Sequence, residues 1–188
     1  MTIQKINPYL PCPCGSGRKY KFCCYEKEQE VNNEDSLSLI KKSATYPVDK
    51  CLVNESWKER GLATLFIVRQ LPNSKFIVGV YLVDLLCLGV KDTFCHANVP
   101  YTVIEDKIVR SRVHLVPIDY EDARSMFLGG IEFARQHGFD PHPDWKDSQP
   151  IVEPEKPFVH KYKFGMNGKP MFIQGPHDDM AAITSKLR

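Results

Sequence analysis

Residues 62–83 read LATLFIVRQLPNSKFIVGVYLV and decide the fold of the larger part of the chain. Two apolar runs in this stretch, residues 62–69 and 76–83, are rich in the β-branched and aromatic side chains that favour strands. Pro72 and Asn73 lie between the runs, at positions typical of a tight turn. Neither run alternates strictly between apolar and polar residues, as a strand with one face in water would. We therefore expect a β-hairpin in the middle of a sheet, with both faces covered.

Residues 108–116 have the alternating pattern of a half-buried strand. One face of this predicted strand carries a basic stripe, which Arg69 of the hairpin could extend: Arg110, Arg112 and His114. A stripe of this kind has the charge needed to bind an anionic partner such as RNA. It is equally typical of a solvated outer face whose charge nearby acidic residues balance. The sequence leaves both interpretations open.

A helix and a second hairpin complete the predicted main domain. Asp119 is a typical N-cap and Gly138 a typical residue just beyond a C-terminus, so we predict a helix between them, ending near residue 137. The pair Asn167–Gly168 is a strong turn signal, and it would join residues 160–164 to residues 170–174 as strands. Strands that come in hairpins, with a helix after a group of strands, indicate an α+β fold. We expect a largely antiparallel sheet built from hairpins, with a few helices.

The composition is that of an ordinary globular protein. The chain has 188 residues, 43% of them hydrophobic, and a net charge of +2, which excludes wholesale disorder and does not by itself indicate nucleic-acid binding. No apolar run reaches the ~20 residues that span a bilayer, and residues 1–10 lack the hydrophobic stretch of a secretory signal, so we expect a cytoplasmic protein. Composition divides the chain into a cysteine-rich module at 1–25, a polar linker or short helix at 26–45 and the α+β main domain at 46–188.

Four of the seven cysteines lie close together near the N-terminus, in the segment PCPCGSGRKYKFCC. Their spacing, C-x-C-x8-C-C, supplies the four thiolates that tetrahedral zinc binds. Gly15 and Gly17 allow a sharp turn, and the basic residues between the cysteine pairs offset the charge of four thiolates around a divalent ion. With no open coordination position the site would be structural and would stabilise a segment too small for a core. We predict one zinc ion, with the ligands Cys12, Cys14, Cys23 and Cys24.

Two other interpretations of the cluster stay open. Four reduced thiols without a metal, or a disulfide pair, are compatible with the same sequence, although free thiols on a fragment without a core are reactive. A thiol-redox function of Cys12 and Cys14 would leave Cys23 and Cys24 unexplained.

The cysteine segment resembles the SEC-C motif, a small zinc-binding module found at the C-terminus of the SecA translocase ATPase and in other bacterial proteins. Gly15, Gly17 and Lys21 match the connecting turn of the family, whereas Tyr25 stands where a glycine usually follows the last ligand. The resemblance covers residues 11–25. It implies zinc, a bacterial cytosolic protein and contact with a partner; in SecA the module engages a secretion chaperone and is linked to ribosome and lipid contacts.

The sequence therefore favours a binding protein whose zinc-binding module docks on a macromolecular partner, either a protein, the ribosome or RNA. The residues expected to contact the partner are exposed basic and aromatic side chains of the turn, Arg18, Lys19, Tyr20 and Lys21. The alternative is a hydrolase or nuclease acting on nucleic acid, with Asp84, Asp92 and His96 at its site. Against it, Asp84 is also a typical capping residue, and no known catalytic motif is present. Whether the chain is an enzyme, and its oligomeric state, stay undetermined at this stage.

Overall fold

A computed structural model describes residues 6–176 and 178–187, and its centre is one antiparallel sheet. The strands run in the order β4-β3-β2-β1-β5, and each neighbouring pair is antiparallel. Their bounds are Val48–Asn54 (β1), Leu62–Gln70 (β2), Phe76–Asp84 (β3), Gly89–Val99 (β4) and Leu115–Pro117 (β5). Helices pack on both faces of this sheet, so the predicted α+β class with a largely antiparallel sheet is confirmed.

The predicted hairpin is the pair β2–β3, and it lies in the interior of the sheet. The register runs without interruption from Gln70 opposite Phe76 to Leu62 opposite Asp84. In the turn, the Leu71 amide donates to the Lys75 carbonyl at 2.8 Å. Alternate side chains enter two separate apolar clusters, one on each face of the sheet. Because both faces are buried, neither strand needed the alternating pattern.

The inner face of the sheet is covered by the helices Ser36–Lys41 (α2), Tyr120–Gln136 (α5) and Trp145–Ser148 (α6). The helix predicted between Asp119 and Gly138 is α5, and the Asp119 carboxylate accepts from the Glu121 and Asp122 amides at 2.8 and 3.3 Å. At the start of β4 the backbones approach closely, since a Cβ on Gly89 would lie 2.9 Å from the Gly130 carbonyl oxygen. The remaining helices are Cys24–Asn33 (α1), Trp57–Arg60 (α3), Tyr101–Arg110 (α4) and Met180–Lys186 (α7).

The strand predicted at residues 108–116 is wrong. These residues are the end of α4, a turn with Arg112 at φ 54°, and β5. Tyr101, Ile104 and Ile108 recur at helical spacing and pack on the outer face of the sheet, which favours a helix once the sheet is present. Arg110 is the last residue of α4, whereas Arg112 and His114 lie in the turn before β5. The basic residues of the predicted stripe therefore do not share a strand face.

Arg69 is buried and does not extend a basic surface. Its side chain is 2% exposed and donates to the carbonyl of Ile151 at 2.9 and 3.0 Å, to that of Tyr46 at 2.8 Å and to the Glu153 carboxylate at 2.6 Å. A second buried arginine, Arg124, likewise donates to backbone carbonyls of residues 152–157. Arg69 thus ties the proline-rich segment after α6 to β2, and Arg124 ties it to α5, because buried carbonyl groups require donors.

The Asn167–Gly168 pair forms the predicted turn, with φ angles of 55° and 80° and a bridge between Met166 and Lys169. The segments flanking this turn are not strands. Their amides bond elsewhere: Gly165 donates to the Leu85 carbonyl and Met171 to the Leu86 carbonyl, both at 2.9 Å. The turn between β3 and β4 thus takes the hydrogen bonds that a second hairpin would have used.

Residues 26–45, predicted as a linker or a short helix, contain most of α1 and all of α2. Asp35 caps α2, and its carboxylate accepts from the Leu37 and Ser38 amides at 3.0 Å each. Val31, Leu39 and Ile40 are buried in the main core. Division of the chain at residues 25 and 45 stays a prediction, although the packing joins α2 to the main core. In the part of the chain described, no helix is long and apolar enough to cross a bilayer.

We predict that Leu39→Ala lowers the free energy of unfolding by about 2–5 kcal/mol, because the side chain is fully buried and its truncation leaves a cavity. Leu37→Ala on the same helix is the matched control, since Leu37 is 59% exposed and should change stability by less than about 0.5 kcal/mol. Urea unfolding measures both values. Equal, small losses would show that α2 does not belong to the folding unit of the sheet.

Candidate metal centre

A short turn at residues 11–19 positions the first cysteine pair. The Cys12 amide donates to the Arg18 carbonyl at 2.8 Å, and the Tyr20 amide donates to the Leu10 carbonyl at 2.8 Å. Gly15 and Gly17 have φ angles of 78° and 72°, in the left-handed region where a side chain would be strained. These two glycines reverse the chain between the two halves of the cysteine cluster, as the sequence predicted.

The second cysteine pair lies where a 3-10 turn passes into α1. Residues Tyr20–Phe22 form the turn, and the Cys23 amide closes it by donating to the Tyr20 carbonyl at 3.1 Å. Cys24 is the first residue of α1, so its sulfur lies at the positive end of the helix dipole. The adjacent cysteines thus project from a helix start, opposite the turn that carries the first pair.

The four sulfur atoms converge on one point. One Sγ atom from each of the four cysteines lies within 4.8 Å of every other, and Cys14 Sγ is 3.6 Å from Cys23 Sγ. Tetrahedral zinc with bonds of about 2.3 Å separates its sulfur ligands by about 3.8 Å. A disulfide would bring two sulfurs to about 2.05 Å, and all seven cysteines are unbridged. The donor set and its spacing therefore fit a zinc ion, and the structure gives no disulfide pair.

The charges around the sulfurs also suit a cation. Hydrogen bonds from Ser16 and from the Cys12 thiol lower the pKa of the Cys14 thiol to about 6. Hydrogen bonding to Cys12 and burial raise the pKa of the Cys24 thiol to about 12. The Cys14 thiol thus loses its proton readily, whereas deprotonation of the Cys24 thiol is unfavourable. A divalent ion would make the second thiolate favourable as well, because it supplies positive charge next to both sulfurs.

Hydrogen-bond donors near Cys23 support a negatively charged sulfur cluster. Ser16 Oγ is 3.2 Å from Cys23 Sγ, and the Arg18 guanidinium approaches the same sulfur at 3.9 Å. Donors of this kind orient thiolate ligands and stabilise their charge in metal sites.

Tyr20 corrects the expectation that the aromatic and basic side chains of the turn are all exposed. Its side chain is 6% exposed, and its ring packs edge-on against Tyr25 with the centroids 5.8 Å apart. The phenol donates to the Glu28 carboxylate of α1. Burial and this acceptor raise the pKa of Tyr20 above its usual range. Tyr20 is thus the packing centre of the module, and the spacing of the sequence did not distinguish it from its neighbour Phe22.

The exposed surface of the module combines cations with apolar side chains. Arg18 and Lys19 are exposed, and the Lys21 ammonium lies 4.4 Å from the ring centroid of Tyr9 and 4.4 Å from that of Phe22. The two rings are 63% and 54% exposed. We call this set the module surface: Tyr9, Arg18, Lys19, Lys21 and Phe22. Tyr9 lies just outside the cysteine segment, where nothing in the sequence pointed to it.

The residues of the alternative enzyme site are not brought together. The Asp84 carboxylate accepts from the Leu86 and Cys87 amides at 2.8 and 3.0 Å, so it caps the turn between β3 and β4. Burial raises its pKa. Asp92 and His96 are on β4, where they pair with Leu82 and Val78 of β3. Asp84 and His96 line different cavities. No hydrogen bond joins any two of these three residues in the part of the chain described.

The family model of the SEC-C motif matches residues 10–26, which include all four clustered cysteines. The chain carries a SEC-C motif. SEC-C motifs are of the zinc-binding type, in agreement with the sulfur geometry. The match covers the metal centre and the start of α1 and leaves the α+β body outside it.

Similar proteins share this motif with the chain. The protein translocase subunit SecA of Treponema denticola is 61% identical over 23 residues, which are 12% of this chain and 2% of SecA. SecA of Desulforudis audaxviator is 50% identical over 28 residues, 15% of this chain and 3% of that protein. A UPF0225 protein of Deinococcus radiodurans is 34% identical over 53 residues, 27% of this chain and 41% of the relative. No solved structure matches the chain. The chain thus spans only a small part of the SecA proteins and less than half of the UPF0225 protein.

We predict that protein purified without added metal contains one zinc ion per chain by elemental analysis. Replacing Cys14 and Cys23 together by serine should reduce the content to near zero, because two thiolates are too few to hold the ion. Cys95→Ser is the matched control, since Cys95 lies outside the cluster, and it should leave the content at one. Zinc-free wild-type protein, or full zinc content in the double variant, would contradict the assignment.

Proposed function

We propose that the four clustered cysteines hold one structural zinc ion and that the ion fixes the module surface for contact with a macromolecular partner. The convergence of the four sulfurs within 4.8 Å is the observation that carries this proposal. With four thiolate ligands the ion has no open position for substrate, so its function is to hold backbone geometry rather than to catalyse. The ligands are Cys12, Cys14, Cys23 and Cys24.

The composition of the module surface supports a docking function. Isolated apolar side chains are common on protein surfaces, but here two exposed rings enclose a lysine, and Arg18 and Lys19 of the same module are exposed. Aromatic residues and arginine are enriched where proteins bind partners. Tyr20, predicted to belong to this surface, instead supports it from below.

The attachment of the module to the body supports presentation of this surface at a defined place. Tyr20 binds Glu28 on α1, and Val31, at the other end of the helix, is buried in the main core. The side chain of Asn73, in the turn between β2 and β3, donates to Asn32 of α1 at 2.9 Å. A helix of ten residues spans about 15 Å, so the cysteine end of α1 lies apart from the end that enters the core.

We infer that the partner is a protein, the ribosome or RNA in the cytoplasm of a bacterium. The positive charge of Arg18, Lys19 and Lys21 favours an anionic surface on that partner. The relatives that share the motif are named protein translocase subunit SecA, so components of that machinery are the first proteins to test. An enzymatic function in nucleic-acid hydrolysis is not supported, because Asp84, Asp92 and His96 do not share a cavity.

We predict that Lys19→Glu with Lys21→Glu removes at least about nine-tenths of the partner captured by the tagged protein, because two reversed charges repel an anionic surface. The zinc content should stay at one ion per chain, since neither residue supplies a ligand. Mass spectrometry of the co-purified macromolecules, with and without nuclease treatment, identifies the partner as protein or RNA.

Lys58→Glu with Lys146→Glu is the matched control for charge, because both residues are exposed on the body. Capture should match that of the wild-type protein. Unchanged capture by the Lys19 and Lys21 variant, or an equal loss in the control, would contradict a docking function of the module surface.

A further inference from the structure

The outer face of the sheet is covered incompletely. An apolar cluster on this face joins buried side chains of β2 and β3 to Ile104 of α4. Of the helices in residues 6–176 and 178–187, α4 is the one with a side chain in this cluster. Its ten residues are too few to shield the whole five-stranded sheet, so part of the face lies open beside the helix.

The uncovered part of this face forms a cavity of about 440 Å³ between α4 and the strands. Phe66, Val80 and Phe94 form its floor, and Val103 of α4 forms one wall. Phe94 is 40% exposed although it lies on the sheet. A cavity of this volume falls in the range of about 300–1,000 Å³ that small-molecule sites occupy.

The rim of the cavity carries two cations on the last turns of α4. Lys107 and Arg110 are three residues apart and so lie on the same side of the helix, and both line the cavity. Neither takes part in an ion pair within the described chain. Asp106 also lines the cavity, so the rim keeps one net positive charge.

Lys107 is held directly over the apolar floor. Its ammonium lies 4.5 Å from the centroid of the Phe94 ring. Partial burial and the neighbouring Arg110 lower the pKa of Lys107. Lys107 is partly buried and Arg110 is exposed. Their charges repel each other, and an anion between them would remove the repulsion.

We propose that this cavity binds a small organic carboxylate with an apolar body, such as an aromatic acid. The apolar body would lie on Phe66, Val80 and Phe94, and the carboxylate would lie between Lys107 and Arg110. Two features select this class together. The floor of Phe66, Val80 and Phe94 is apolar, and the other polar lining residues, Asp106 and Ser111, lie at the end of α4 beside the cations. The rim offers paired cationic donors that suit a carboxylate. The site is separate from the metal centre and does not depend on the proposed docking function.

The test uses three probes that share one ring system: 1-naphthoate, neutral 1-naphthylmethanol and cationic 1-naphthylmethylamine. Each is titrated into the 188-residue protein and followed by amide NMR shifts. We expect naphthoate to bind at least about tenfold more tightly than the alcohol, because only the anion gains charged hydrogen bonds. The largest shifts should fall on residues 103–111 and on Phe94. Absence of naphthoate binding, equal affinity for the alcohol, or shifts elsewhere would overturn the proposal.

Variants locate the two halves of the interaction. Lys107→Gln with Arg110→Gln should lower naphthoate affinity about tenfold and leave that for the alcohol unchanged. Arg135→Gln with Lys146→Gln removes the same charge from exposed positions and should change neither affinity. Val103→Trp fills the cavity and should abolish binding of both probes. If the control pair weakens naphthoate as much as the rim pair, or the filled cavity still binds, the assignment fails.

Discussion

The structure depends on the need to bury both faces of the hairpin β2–β3. Side chains such as Leu65 and Tyr81 point to one face, and Phe66 and Val80 point to the other. Each face therefore requires its own apolar cover, because leaving the apolar side chains of one face in water would cost the chain much of its stability. On the inner face α5, α2 and α6 provide this cover. The outer face has α4, and its short length leaves the cavity beside the helix.

The same requirement ties the metal centre to the body. Covering the inner face recruits α2, and α2 follows directly after α1 with Glu34 and Asp35 between them. The position of α1 is therefore set at one end by Val31 in the core and at the other by the cysteine cluster. The module has almost no core of its own beyond Tyr20 and its sulfurs. A segment so small would gain stability from a metal ion, and it is also connected to a helix that the body holds in place.

Local sequence patterns predicted some elements correctly. They failed where distant parts of the chain determine how apolar side chains pack and which carbonyls accept the backbone amides. The hairpin at residues 62–83 and the helix capped by Asp119 were predicted correctly because their signals are local. The strand predicted at 108–116 was wrong because its apolar residues also fit a helix that packs on a sheet. The hairpin around Asn167 formed only its turn, because the carbonyls of Leu85 and Leu86 accept the flanking amides. The residues around Asn167 do not indicate where those carbonyls lie, because Leu85 and Leu86 are far away in the sequence.

At the candidate metal centre the sequence determined which cysteines come together, since the spacing of Cys12, Cys14, Cys23 and Cys24 leaves little freedom to a turn of this length. It also indicated the class of the fold, because β-branched and aromatic residues in two apolar runs around a turn favour a buried hairpin. The tertiary structure decided which side chains are available to a partner: it buried Tyr20 and Arg69, and it exposed Tyr9 and Phe22. It also placed Lys107 over Phe94, with Arg110 at the rim of the same cavity, and separated Asp84 from His96. The physical reason is that burial and charge pairing depend on residues far apart in the chain, whereas thiol spacing and turn chemistry depend on residues close together.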